Sequence, residues 1–261
     1  MVKRMMSKDK YQLSEQSILD TEHGVILYRI VATKTFETTE RIIKKGSIGG
    51  YVCGYHNLSQ EGKCWIDDNV KVLGQARILE NAYLKGNCIV MDDVEISGYA
   101  KISGCCKLRE NSLIGGEATI EDNAVIEGNV IVQDKCRIFE NAVITGDVQL
   151  FDKVSVGGNS YLYGKSILKN QCEISGDAII GGHARIEEFV SVRDKAMIKE
   201  HAFIHGRCLI SGNAKIIGYS DVSYDVGGIN VINTSIKEKQ VKIPFLKQRF
   251  IETLELEKRR K

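Results

Sequence analysis

The chain has 261 residues and five histidines, at His23, His56, His183, His201 and His205. An imidazole can take a proton from a hydroxyl or an amine, stack on a planar ring, or ligate a metal. His183 and His201 stand three six-residue steps apart, and Tyr163, Lys165, Arg185, Lys199, Phe203 and Tyr219 lie nearby in sequence. Lys and Arg supply charge for phosphates, and Tyr or Phe offers a face for a base. A metal site built on His183 and His201 lacks an evident third ligand. Cys105 stands beside Cys106 with no base evident near it, so a nucleophilic thiol is not expected. None of the Gly-Gly pairs, GSIGG included, has the GxxxxGK[ST] spacing of a phosphate-binding loop.

The elements that must position these residues follow from a six-residue period. Every sixth residue from Ile66 to Val222 is Ile, Leu or Val, without exception. Four residues after each stands a small residue, such as Val70, Ala76, Ala82 and Cys88. Between them fall pairs such as Asp68-Asn69, Gly86-Asn87, Asp122-Asn123 and Gly212-Asn213. Gly and Asn tolerate the backbone angles of a tight corner. Each hexad therefore reads as one short strand and one corner, with the branched residue inward. Three hexads close a triangular coil, and coils stack at about 4.8 Å. About nine such coils give a rod roughly 43 Å long. One coil has too little interior to hold itself, so stability comes from stacking. No hexad is interrupted, so no loop is expected to project. The same period places Lys165, His183, His201 and Tyr219 in one column at one corner.

Composition narrows the function. The formal net charge is +2, so no global field selects nucleic acid as a partner. No run of eighteen apolar residues suggests a membrane span, and no apolar stretch follows MVKRMMSKDK as a secretory leader requires. Cys64, Cys88, Cys106, Cys136, Cys172 and Cys208 differ by multiples of six and share their position with Ala, Val and Ser. They read as reduced core thiols of a cytosolic protein, not as a disulfide framework or a zinc site. The single proline, Pro244, lies beyond the repeats. That suits ladders that use almost every N–H.

The boundaries expected are 1–64 for an N-terminal β cap, 65–228 for the repeats and 229–261 for a C-terminal tail. YQLSEQSI, GVILYRIVAT and GSIGGYV read as cap strands that plug the first coil. Residues 227–244 read as irregular. FLKQRFIETLELEKRRK reads as a short helix after Pro244, within a basic segment that suits a solvated cap or else a nucleic-acid or anion contact.

Outward residues sort onto three faces. Face A holds the strand at Ile66 and every third strand after it, face B those counted from Val72, face C those counted from Ile78. Face A is charged, with Lys85, Lys101, Glu121, Arg137, Glu173 and Arg193. Face B is apolar, with Leu73, Ile89, Met91, Val125, Val143, Tyr161, Tyr163, Ile179, Met197 and Ile217. Face C is mixed, with Leu79, Leu113, Ile131, Phe151, Ile167 and Phe203 among charges. A contiguous apolar strip marks an interface. Self-association through Ile89, Met91, Val125, Val143, Tyr161, Ile179 and Met197 is expected, as a closed trimer. The alternative is a terminal segment folded back over face B.

The hexads resemble the hexapeptide-repeat family, whose fold is the left-handed parallel β-helix. The segment GGYVCGYHNLSQEGKCWI, Gly49 to Ile66, resembles the cap of a group of uncharacterised bacterial and phage members of that family, in which NLSQ-x-G-x-CW leads into the first coil. The likeness spans about residues 11–226. It implies an all-β left-handed parallel β-helix of about nine 18-residue coils, with an N-terminal β cap, here joined by a short C-terminal helix. It also implies parallel trimers, and in the enzymes of the family acyl transfer from CoA with a histidine near a subunit boundary. Two features depart from those enzymes: no loop leaves the coils, and no proline-containing segment follows Val222 closely.

Three readings stay open for the corner. It can be a polar column that trims an interface, in a scaffold without ligand. It can bind a small anionic ligand, nucleotide- or CoA-like, through Tyr163, Lys165, Arg185, Lys199, Phe203, His205 and Tyr219. It can be an acyltransferase site with His183 or His201 as base and acetyl-CoA or another acyl-CoA as cofactor. The leading expectation is a cytosolic homotrimer that holds such a ligand between subunits, with sequestration of a nucleotide-type signal without turnover as its form. No metal and no membrane are expected.

Overall fold

A branched side chain at every sixth position leaves water only if each hexad turns the chain inward by a third of a revolution. A computed structural model, which describes residues 9–234, has this geometry. It is all-β, with parallel coils of ~18 residues stacked as a β-helix behind a separate antiparallel cap. No α-helix occurs among the described residues, and the helix expected after Pro244 lies outside them. Faces A and C are 9-stranded sheets, and face B runs through a 13-stranded sheet. Equivalent residues of successive coils pair in register: Val90 faces Val72 on one side and Leu108 on the other. Every inward residue from Ile66 to Val222 is at most 1% exposed. The small residues that follow them are buried too, including Cys88, Cys106, Cys136, Cys172 and Cys208. All eight cysteines are unpaired. Burial pushes the Cys136 and Cys172 thiols up to about 12, which makes them inert packing groups.

The corners correct one expectation. The residue two after each inward position has a positive φ at every hexad from Asp68 to Gly218. That residue is the first of each corner pair, so the Asn that follows is not the left-handed one. Nearly half of these residues are not Gly but Asp, Glu or Asn. A left-handed residue with a side chain costs about 1–2 kcal/mol. The carboxylates offset this by a repeated bond. Asp122 accepts the backbone N–H of Glu140 at 2.9 Å, and Asp134 accepts that of Asp152 at 3.0 Å. Asp68, Glu80, Asp92 and Asp194 do the same one coil up their own columns. The next residue forms amide ladders, as in Asn123 to Asn141 to Asn159 to Asp177.

Strands outside the hexads extend the stack at both ends. β1 (Tyr11–Asp20), β2 (Val25–Ala32) and β5 (Ile48–Val52) pair antiparallel in turn, and β5 then pairs parallel with Lys71–Val72. The cap thus continues the face B sheet past the first coil. Tyr11, Ile30, Ala32, Ile43 and Leu58 join Trp65 and Ile66 in the core, closing that end. The hairpin of β3 (Phe36–Glu37) and β4 (Ile42–Ile43) delivers Arg41. Its guanidinium grips the buried Asp67 carboxylate at 2.9 and 2.6 Å, and Trp65 Nε1 donates to the same carboxylate at 2.8 Å. At the other end Ile210 bridges Val226 and Lys215 pairs with Val231, so the last coil is shorter than those before it. Val226, expected at a small-residue position, therefore takes an inward strand position. Val231–Thr234, expected to be irregular, is a further face B strand.

Asp122→Ala loses the bond to Glu140 N and keeps the left-handed strain, for a destabilisation of about 1–2 kcal/mol. Asp122→Gly loses the same bond but relieves the strain, so its urea midpoint should lie above that of Asp122→Ala. The reverse order would show that a side chain does not strain this corner. At the cap, Lys71 Nζ lies 2.7 Å from Asp20 Oδ2. That hydrogen bond holds the Asp20 carboxyl down to about 2 from its ordinary 3.8, against the opposing effect of burial. A depressed carboxyl stabilises the fold fully above its unfolded value and loses that contribution as pH falls toward the folded one. Thermal midpoints measured through this acid window should fall less steeply for Asp20→Asn than for the parent chain.

Candidate functional site

Because each coil repeats the one before it in register, outward side chains of face C and its corner with face B form a grid. One coil contributes His183, Arg185 and Glu187, the next His201, Phe203 and His205, the third Tyr219, Asp221 and Ser223. The residues between them, Ala184, Ile186, Ala202, Ile204, Ser220 and Val222, are buried and fix the outward direction of the grid. Strand alternation therefore aims all nine side chains to one side.

The first column is a stack of rings. His183 and His201 lie 4.8 Å apart at 18°, and His201 and Tyr219 lie 4.7 Å apart at 4°. In the second column the Arg185 guanidinium stands 5.3 Å from the Phe203 ring. Across the middle coil Phe203 and His205 stack at 4.6 Å. His205 Nε2 lies 2.7 Å from Asp221 Oδ1, a diagonal contact between neighbouring coils. Arg185 also meets the Glu187 carboxylate at 2.6 Å.

On the face B side of the corner, Tyr163 stacks on Tyr161 at 5.3 Å. Its ring lies over Gly181, where an added Cβ would fall 2.1 Å from the Tyr163 Cζ. Lys199 Nζ stands 5.8 Å from the same ring. Lys165 pairs with Asp147 on the preceding coil at 3.7 Å.

The residues expected to act together thus fall on one edge of the rod, in two groups. His183, His201 and Tyr219 form a single stack with Arg185, Phe203 and His205 beside it. Lys165 continues the column on the coil below His183, while Tyr163 and Lys199 lie across the corner on face B. Asp221 and Glu187 were missed by sequence reasoning. A signal existed in the spacing of His205 and Asp221, which falls two short of a full coil and so marks the diagonal step between adjacent coils. His183 and His201 have ring neighbours, and no carboxylate lies in ion-pair distance of either among the described residues. His205, expected only to bind, is the imidazole oriented by an acid.

No protein-family model matches this chain, and no curated protein matches it. What the grid can do rests on its own chemistry. Two of the three cations already face a carboxylate. An exposed pair of this kind contributes about 0–1 kcal/mol, so a phosphate can replace the carboxylate at small cost. Stacked imidazole and phenol edges present a wall of planar groups to a ligand ring. Metal ligands gather elsewhere: among the described residues, Asp20, Glu22 and His23 place ligand atoms within 4.8 Å of one another, yet Asp20 is already held by Lys71. A pocket of about 380 Å³ lined by Ser59, Glu61, Leu79 and Glu80 lies at the opposite end of the rod.

The apolar strip on face B is less continuous than its residues suggest. Leu73 is 3% exposed and so is not open surface. Lys107, with the Arg109–Glu127 ion pair at 3.1 Å, separates Ile89 and Met91 from Val125, Val143, Tyr161, Ile179 and Met197. The terminal strands extend the face B sheet at its ends, although the Asp20–Lys71 contact brings the tip of the β1–β2 hairpin to the first coil.

Gly181 gives a direct test of this geometry. Gly181→Ala should displace the Tyr163 ring and break its contact with Lys199, with little effect on the buried Ile180 ladder. Loss of the Tyr163 ring-current shifts in a nuclear magnetic resonance spectrum, with unchanged backbone shifts two coils away, is the expected result. An unmoved Tyr163 ring would show that this face is not packed as described.

Proposed function

We propose that this chain is a homotrimeric binding protein that holds a small anionic ligand bearing a planar ring, of the nucleotide or CoA type, between the grid on one copy and the face of its neighbour. The observation that supports this reading most is the stack of His183, His201 and Tyr219 beside Arg185 and Phe203. Ligand sites bury most of a small ligand's surface. A sheet face covers one side only, so a second wall is needed. The half-buried upper strip of face B, from Val125 to Met197, lies across the same corner and offers a surface for a second copy. Arg185, Lys165 and Lys199 would meet the charge, and the ring column the base. Capture without turnover is the simplest form of this function.

One observation favours a second reading, acyl transfer from acetyl-CoA or another acyl-CoA. The Asp221 carboxylate at 2.7 Å orients the His205 imidazole, as a general base requires. In that case His205, rather than His183 or His201, is the histidine to accept the proton.

Thermal-shift measurements against linear and cyclic nucleotides, CoA and acetyl-CoA, with chromatography of the ligand afterwards, separate these readings. Stabilisation with full recovery of the ligand is expected. Tyr219→Ala and His201→Ala should each weaken binding about 10- to 100-fold, the range of one lost stacking partner. Release of free CoA thiol that disappears in Asp221→Asn would replace sequestration by catalysis. A monomer in sedimentation at all concentrations, with no shift by any of these compounds, would remove the proposal.

A further inference from the structure

Lys10 is the buried lysine among the described residues, at 2% exposed. Its ammonium nitrogen lies 3.1 Å from the Glu61 carbonyl oxygen and 3.1 Å from Cys64 Sγ, with the Phe36 ring at 5.8 Å. No carboxylate is among these partners. A buried amine without an acid is costly as a cation, because desolvation is uncompensated. Burial lowers the Lys10 amine and raises the Cys64 thiol, so both are driven toward their neutral forms. A neutral amine carries the free lone pair of a nucleophile. Its separation from sulfur falls in the range of about 3–3.5 Å at which reacting atoms are poised.

We propose that Lys10 and Cys64 are an oxidative modification site, at which peroxide joins them through a nitrogen–sulfur bond. In the first step hydrogen peroxide transfers an oxygen to the Cys64 sulfur, giving a sulfenic acid and one water; sulfur is oxidised by two electrons and the peroxide is reduced. In the second, the Lys10 nitrogen lone pair attacks that sulfur and the S–O bond breaks. The hydroxyl leaves with the amine proton as a second water. The product is a sulfenamide with two hydrogens fewer than the starting pair and no added oxygen. A thiol reductant reverses it by attack on the same sulfur. Lys10 directly precedes β1, and Cys64 directly precedes the Trp65–Ile66 strand. The link would therefore tie the start of the cap to the first coil. Access for peroxide requires β1, the outermost strand of its sheet, to open locally. An un-ionised thiol reacts slowly, so the link should need sustained peroxide rather than a brief exposure.

The test is peptide mapping of the full chain by mass spectrometry after prolonged peroxide treatment, before and after dithiothreitol. The expected result is a peptide pair joined through Lys10 and Cys64, lacking two hydrogens, with tryptic cleavage after Lys10 lost and then restored by the reductant. Lys10→Arg keeps a long basic side chain and removes the primary amine, so no link should form, and Cys64→Ala should behave likewise. If neither variant folds, the map of the parent chain still decides. Intact cleavage after Lys10 with Cys64 as sulfinic acid would overturn the proposal, as would a link that retains the oxygen. A pair joined through Cys88 and Cys106, with Lys10 untouched, would also overturn it.

Discussion

One constraint governs this molecule: the backbone of each coil hydrogen-bonds to the coil above it in fixed register. Lys71 N donates to Cys88 O, Ile89 N to Cys106 O and Lys107 N to Ala124 O, the same step along the chain each time. Parallel strands so bonded lie about 4.8 Å apart, which leaves each side chain directly over its counterpart. Everything else is a consequence of columns. An inward column must be apolar throughout, because one polar member would be buried between apolar neighbours. A corner column must be left-handed throughout, because the turn repeats. An outward column must manage like over like, and the chain does so by type. Amides pair head to tail, rings stack, and charges alternate, as Arg77 does with Glu95.

The same constraint explains how much could be read in advance. The inward positions were legible because burial tolerates only Ile, Leu and Val at that volume, and the period never slips between Ile66 and Val222. The histidine column was legible for the same reason, since three hexads onward lies the vertical neighbour. Which corner residue is left-handed was not legible from type alone. Asp122 and Asn123 both tolerate such angles, and only the bond from the Asp122 carboxylate to Glu140 N distinguishes them. The change of offset near Val226 was hidden because valine satisfies both a small-residue position and an inward one. The contact of His205 with Asp221 was not legible in the period, because it steps diagonally between neighbouring columns of adjacent coils. The cap was readable as strands, but not the way Asp67 gathers Arg41, Trp65 and Tyr83, since these come from distant parts of the chain.

Columns also shape what the candidate site can do. A stack of His183, His201 and Tyr219 is a product of register and needs no tertiary coincidence, so its existence alone says little about selection. The diagonal and lateral contacts say more. Phe203 lies between Arg185 below and His205 beside it, and Asp221 reaches back to His205. These orient one imidazole and one guanidinium within a patch of planar groups. The energies involved are modest: an exposed ion pair contributes about 0–1 kcal/mol and an exposed cation–ring contact about 0.5–1 kcal/mol, small beside the long apolar core. Single cation–ring contacts recur elsewhere on the rod, as Arg137 makes with Phe139, but here stacked rings, a cation–ring contact and an oriented imidazole meet on three adjacent coils.

The ends of a stacked rod are where its logic fails, and the chain answers with different chemistry there. Inside, every strand has two neighbours and every inward side chain has a counterpart above and below. At the first coil the lower neighbour is missing, so exposed backbone and core must be satisfied by something outside the repeat. The cap supplies strands for the face B edge and aromatic bulk for the core. It also uses polar contacts to buried groups, Arg41 to Asp67 and Lys10 to Cys64, that have no counterpart among the described coils. A buried polar contact stabilises only if its geometry is met, and leaves an unpaired group if it is not. Such contacts therefore discriminate against a slipped docking of the cap. A hexad is nearly interchangeable with the next, so a shift by one coil would cost the apolar core little. Asp67 stands at one place only, with Leu73 one hexad on and Lys85 one coil on, and it makes the correct register the one in which its buried carboxylate meets Arg41.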